Sequence, residues 1–103
     1  MKTIAILAPM QEELDALKAL LPPGTPDRLR FLDLLRVDFH GHRLILARSG
    51  VGKVNTAMNL TLLLGHERVD EVVNIGSAGG LRAGQRILDL VVPDEVIGID
   101  VDV

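Results

Sequence analysis

Asn74-Ile75-Gly76-Ser77-Ala78-Gly79-Gly80 follows directly on a short apolar strand pattern that includes Val72 and Val73. Almost every residue in it is small. Small residues let a backbone come close to a ligand, and they leave amide N–H groups and the Ser77 hydroxyl facing open space. A strand that ends this way offers a floor for a sugar or a base. Two other loops have the same character: Met10-Gln11-Glu12-Glu13 after the first strand pattern, and Ser49-Gly50-Val51-Gly52-Lys53 after a later one. Strands alternating with helices, with glycine-rich loops at strand ends, indicate a three-layer α/β domain. In such sheets ligands sit at the carboxyl ends of strands.

The remaining elements follow from periodicity. Residues 2–8 read as a buried strand, a continuous apolar run with β-branched Thr3, Ile4 and Ile6. Residues 10–21 read as a helix with Met10, Leu14, Leu17 and Leu21 on one stripe and acidic residues in the first turn, as the helix dipole favours. Pro22-Pro23-Gly24-Thr25-Pro26 stops it and is too short to separate two domains. Residues 28–38 are rich in Leu, Phe and Val, residues 43–48 form a strand pattern, and His40-Gly41-His42 between them reads as a hairpin turn. Residues 53–66 read as a helix that is apolar most of the way round and hence deeply packed. Strands are expected at 70–76 and 88–92, with a further apolar stretch at 95–103.

Composition narrows the function. With 103 residues there is one small domain, and 48% apolar content is enough to fold it. Two Phe and no Tyr or Trp leave no stacking platform for single-stranded nucleic acid. A net charge of −3 argues against a nucleic-acid or anionic-membrane footprint. With no cysteine there are no disulfides, thiolate metal sites or cysteine nucleophiles. The N-terminal run is short and has no small-residue cleavage site, and no segment reaches the ~20 apolar residues of a membrane span. The expectation is a cytoplasmic protein.

Each loop also has an ordinary reading. Glu12-Glu13 is either a carboxylate pair that activates water or holds a sugar hydroxyl, or a solvated helix start. Gly50-Val51-Gly52-Lys53 is not a phosphate loop: the required earlier glycine is Ala47, and Val54 follows the lysine. On spacing alone it is first a tight strand-to-helix turn. The stretch from Gly76 to Gly80 lacks the dinucleotide spacing and is equally a plain turn or a ligand contact. His40, His42 and His66 are scattered, without clustered carboxylates, and no metal site is assigned.

Taken in order, Met10-Gln11-Glu12-Glu13, Ser49-Gly50-Val51-Gly52-Lys53-Val54, Asn74-Ile75-Gly76-Ser77-Ala78-Gly79-Gly80 and Asp100-Val101-Asp102-Val103 resemble the N-terminal half of the 5′-methylthioadenosine/S-adenosylhomocysteine nucleosidases. These belong to the purine nucleoside phosphorylase/uridine phosphorylase family. The resemblance runs from the first residue to the last. It implies a three-layer αβα phosphorylase/hydrolase-like domain with a central mixed sheet, of which residues 1–103 are the incomplete N-terminal part. It implies cleavage of an N-glycosidic bond by water, with Glu13 as the carboxylate that orients and deprotonates that water. Ser77 would lie near the ribose, Ala78 and Gly79 beside the adenine, and Met10 and Val51 against the ribose and alkylthio group. Val103 would reach a neighbouring subunit's pocket, which implies a homodimer. The implied ligand is a small nucleoside; no cofactor is implied.

The family's arginines for phosphate have no counterpart here. Asn74 stands near the place of one, and the first loop carries Glu12 and Glu13, so hydrolysis is favoured over phosphorolysis. The acid that protonates the purine and the glutamate that grips the ribose hydroxyls match no residue of this sequence. Little or no activity is therefore expected of these residues alone. Leu88 and Ile99 depart from the family pattern, where Gly and His are usual. Three rival readings stay open: a futalosine hydrolase, a nucleoside phosphorylase, and a non-catalytic half-domain that pairs through an open sheet edge.

Overall fold

A computed structural model describes residues 1–100. Its elements are β1 (Thr3–Ala8), α1 (Gln11–Lys18), β2 (Thr25–Leu29), β3 (Leu32–Phe39), β4 (His42–Arg48), α2 (Lys53–His66) and β5 (Glu71–Asn74). The strands form one mixed sheet in the order β2-β3-β4-β1-β5. β1 lies between β4 and β5 and is parallel to both, whereas β2-β3 and β3-β4 are antiparallel.

β1 is apolar along its length because helices cover both of its faces. Ala5 and Leu7 join Ile45, Ala47, Leu32 and Leu34 beneath Leu63 of α2. Ala8 joins Leu44, Leu46 and Val37 beneath Leu14 of α1, with Ile4, Ile6 and Leu17 at the margin. The two-residue alternation of strand side chains thus divides the core into two slabs, one per helix. The result is the three-layer architecture expected from sequence.

The β3–β4 hairpin turns on His40 and Gly41, with φ of 50° and 78°. Two left-handed residues in a row match the twist of the strands they join, and glycine at the second position adopts that φ without strain. The helix over 53–66 has the expected bounds.

Other expectations need correction. The first helix is shorter than residues 10–21 and ends at Lys18. The proline-rich stop runs into a strand: Thr25 and Pro26 open β2. Pro26 is tolerated because β2 is the outermost strand, paired only with β3. Residues 28–38 span the end of β2, a turn at Arg30 and most of β3. α2 is not deeply packed. Its buried residues are Asn59 and Leu63, while Val54, Met58 and Leu64 are exposed, since the sheet covers one face only.

No strand forms at 88–92. There the Asp89 carboxylate accepts from the Arg86 N–H at 2.8 Å, and Leu88 takes a left-handed φ of 75°. A side-chain turn of this kind competes with extended backbone. Residues 95–100 hold no strand either, and the rest of the 95–103 stretch, with Val103, lies outside the described residues.

Candidate functional site

The parallel triple β4-β1-β5 brings three strand ends to one edge of the sheet. Backbone bonds stitch them together just past the strands. The Ser49 N–H donates to the Ala8 carbonyl at 2.8 Å, and the Ile75 N–H donates to the Leu7 carbonyl at 2.9 Å. The three loops singled out in the sequence therefore meet because β1 is shared by both neighbours.

Between them opens a cleft of about 510 Å³, lined by Pro9, Ser49, Gly50, Gly52, Lys53, Thr56, Ala57, Asn74, Ile75, Gly76 and Ser77. Gly50 and Gly52 have φ of 79° and 93°, values that admit glycine and strain other residues. A larger depression of about 640 Å³ lies on the other side of Gly50, lined by Gln11, Lys18, Phe31, Arg48, Asn55 and Asn59 among others. It reaches neither Gly76 nor Ser77, and its one carboxylate, Asp33, is exposed to solvent. The smaller cleft is the one that Gly76 and Ser77 line.

Glu13 stands in the first turn of α1. Its Oε2 is 3.5 Å from the point where a β-carbon on Gly76 would sit, and the Pro9 ring is 3.6 Å from that point. The carboxylate therefore lies at ordinary contact distance from the cleft floor at Gly76. Both Glu13 carboxylate oxygens are buried and have no hydrogen-bond partner among the described residues. Buried polar atoms are nearly always paired, so this carboxylate stands out. The N-terminal end of α1 favours negative charge at this place.

Of the residues expected to touch a ligand, Ser77 lines this cleft, and Glu13 stands against Gly76 of its floor without lining it. Met10 is half-exposed at the N-cap of α1, and Val51 is exposed on the loop before α2. Ala78 and Gly79 are exposed beyond the floor. None of these four lines the cleft. Sequence reasoning missed Lys53, Thr56 and Ala57 as wall residues. Their i, i+3, i+4 spacing from the start of the helix was the available signal. Lys53 is paired with Asp100 at 2.6 Å.

No cluster of three or more His, Cys, Asp or Glu that could hold a metal occurs among the described residues. No helix among them is long and apolar enough to cross a membrane. His42 serves the sheet: its Nδ1 accepts from the Lys2 N–H at 3.1 Å.

Comparison with known proteins agrees with this geometry. A 5′-methylthioadenosine/S-adenosylhomocysteine nucleosidase of Geobacillus kaustophilus is 40% identical over 99 residues, which are 96% of this chain and 42% of that protein. The chain thus spans under half the length of this relative. The crystal structure of the S-adenosylhomocysteine nucleosidase of Streptococcus pyogenes in complex with 5-methylthiotubericidin superposes with a TM-score of 0.75 at 35% identity, over 82% of this chain and 36% of that one. The Neisseria meningitidis 5′-methylthioadenosine/S-adenosylhomocysteine nucleosidase in complex with methylthio-immucillin-A gives 0.75 at 31% identity, covering 84% and 37%. The sequence profile of the phosphorylase superfamily matches residues 3–103. With that match over nearly the whole length, this chain belongs to the phosphorylase superfamily.

Proposed function

We propose that this chain is the N-terminal, water-activating part of a nucleosidase domain that hydrolyses the N-glycosidic bond of 5′-methylthioadenosine or S-adenosylhomocysteine and releases adenine. The observation that carries the reading is the buried Glu13 carboxylate set against Gly76, one residue from Ser77. A water held there is deprotonated by Glu13 as its oxygen bonds to C1′ of the ribose. The C1′–N9 bond breaks with its electron pair going to adenine, which takes up a proton from an acid outside these residues. The sugar passes through an oxocarbenium-like state, so a close-fitting floor and one restrained base carry much of the work. Ser77 faces the ribose; Met10, Val51, Ala78, Gly79 and Val103 complete the contacts once the remaining part of the domain and a second subunit close over the cleft. The reaction needs no metal or organic cofactor. The working form is a cytoplasmic homodimer.

Hydrolysis is favoured over phosphorolysis by the cleft's charge. Its single cationic wall residue, Lys53, is already paired with Asp100. The test joins this chain to the C-terminal part of the Geobacillus relative and follows adenine release from 5′-methylthioadenosine. The joined protein should release adenine without phosphate, giving methylthioribose as the other product. Glu13→Gln should lower kcat about 10²- to 10⁴-fold, and the chain alone should show little turnover. Strict dependence on phosphate, with a sugar 1-phosphate as product, would reject the hydrolase reading.

A further inference from the structure

The loop that walls the cleft, residues 49–52, is gripped through its carbonyls. The Asn55 Nδ2 donates to the Val51 carbonyl at 2.9 Å, and the Thr56 Oγ1 donates to the Gly52 carbonyl at 2.9 Å. The longest tie comes from further along α2. The Asn59 Nδ2 donates to the Ser49 carbonyl at 2.7 Å, ten positions back in sequence, in a buried bond. Ser49 is itself buried, and its N–H holds the end of β1 at Ala8. Ser49 is therefore the point where β1, β4 and α2 are joined, and Asn59 supplies the α2 side of the joint.

Asn59 is an odd choice for stability. It faces inward on a largely apolar helix, one turn before Leu63, and its Oδ1 is buried without a hydrogen-bond partner among the described residues. An orphaned buried acceptor is destabilising, and an apolar side chain of similar size would avoid that cost. Two glycines with left-handed φ leave the loop free to wander unless something fixes it.

We propose that Asn59 is a positioning residue for the cleft: it anchors the Ser49 carbonyl and thereby sets where Gly50 and Gly52 stand opposite the Gly76–Ser77 floor. The nucleoside it serves rests on the function proposed above; the anchoring itself does not.

The experiment compares this chain with Asn59→Leu and Asn59→Ala by residue-resolved amide exchange, backbone order parameters and urea unfolding. In both variants exchange at the Ser49 and Thr56 amides, which are bonded to Ala8 and Gly52, should speed about five- to tenfold, the worth of one buried hydrogen bond. Order parameters at residues 50–52 should fall, while Ile45 and Leu46 in β4 keep their rates. In Asn59→Leu, loss of the orphaned Oδ1 offsets part of the cost of the unpaired Ser49 carbonyl, so its unfolding midpoint should fall less than that of Asn59→Ala while the loop exchange speeds as much, which separates positioning from plain stabilisation. Equal speeding across β4 and the loop, or unchanged rates at Ser49 and Thr56, would overturn the proposal; Asn59→Ala decides it if the leucine variant fails to fold. Titration of the joined protein described above with methylthio-immucillin-A, read at the Gly76 and Ser77 amides, tests the two claims apart. No response in the joined parent protein counts against the nucleosidase assignment and leaves the exchange result to decide on Asn59. A response with the same affinity in Asn59→Ala overturns the positioning role.

Discussion

Two glycines mark the range of tolerance in this small protein. A β-carbon on Gly24 would stand 2.7 Å from the Arg36 carbonyl oxygen and 2.7 Å from Val37 Cγ2, so backbone would have to move. Gly24→Ala should lower the unfolding free energy by about 1–3 kcal/mol, the usual cost of overpacking, seen as an earlier urea midpoint. At Gly76 the nearest atoms to such a carbon are 3.5 and 3.6 Å away, ordinary contact distances. Gly76→Ala should change stability by less than about 0.5 kcal/mol in the same experiment. Glu13 was legible from its place after a strand and from the resemblance. The feature that makes it chemically distinctive, two buried oxygens without a donor among the described residues, was not. The backbone that Glu13 faces, at Gly76, is sixty-three positions away, and local pattern does not carry that distance. Asn59 illustrates the same point: a polar residue among leucines reads as an irregular stripe until its partner, Ser49, is known.

Among the elements, the outer hairpin is fastened to the second helix by one guanidinium. Arg36 of β3 donates through Nη1 and Nη2 to both carboxylate oxygens of Glu67 at 2.7 Å, just past α2, and also reaches Asp27 of β2 at 3.2 Å. Hydrogen bonding from Arg36 holds the Glu67 carboxyl below its ordinary value of 4.5, against the opposing effect of burial. A depressed folded-state value means the stabilisation is in full force above the ordinary value and is lost as pH falls through the lowered one. Glu67→Gln should therefore cost about 1 kcal/mol at neutral pH. The gap between variant and parent should close under acid conditions below pH 4.5 when unfolding is followed by circular dichroism. Among these elements, β1, α2 and the hairpin turn were legible because each is encoded locally: an unbroken apolar run, a helical period, a His-Gly turn. β2 was hidden because Pro26 normally argues against a strand, and only an edge position with one neighbour admits it. The strand expected at 88–92 failed for the opposite reason. Leu-Asp-Leu-Val-Val has the composition of a strand, but Asp89 turns back on Arg86 and no strand among the described residues pairs with it.

For the whole molecule, the described surface carries far more apolar side chain than a solitary domain needs. Leu81, Ile87, Leu88, Leu90, Val96, Ile97 and Ile99 are largely exposed, and Val72 and Val73 of β5 and Val54 and Met58 of α2 are substantially open. Patches of this extent mark contact surfaces. The chain should associate with itself in a concentration-dependent way, visible as a rising mean mass in sedimentation equilibrium. Val54→Glu with Met58→Glu should lower that mass at equal concentration without altering the circular dichroism spectrum. Three-layer architecture was readable from the alternation of strands and helices. The degree of covering was not, because an apolar residue looks the same in sequence whether the surface it matches lies within these residues or elsewhere.

The position of β1 has a consequence for biosynthesis. β1, with a parallel ribbon on each side, leaves the ribosome before either of them, since β4 and β5 emerge only by residues 48 and 74. Until then a nascent chain presents Ile4, Ile6 and Leu7 without a neighbour to shield them. That lag is thus an interval in which chaperone capture, or sticking between adjacent polysomes, is readily provoked.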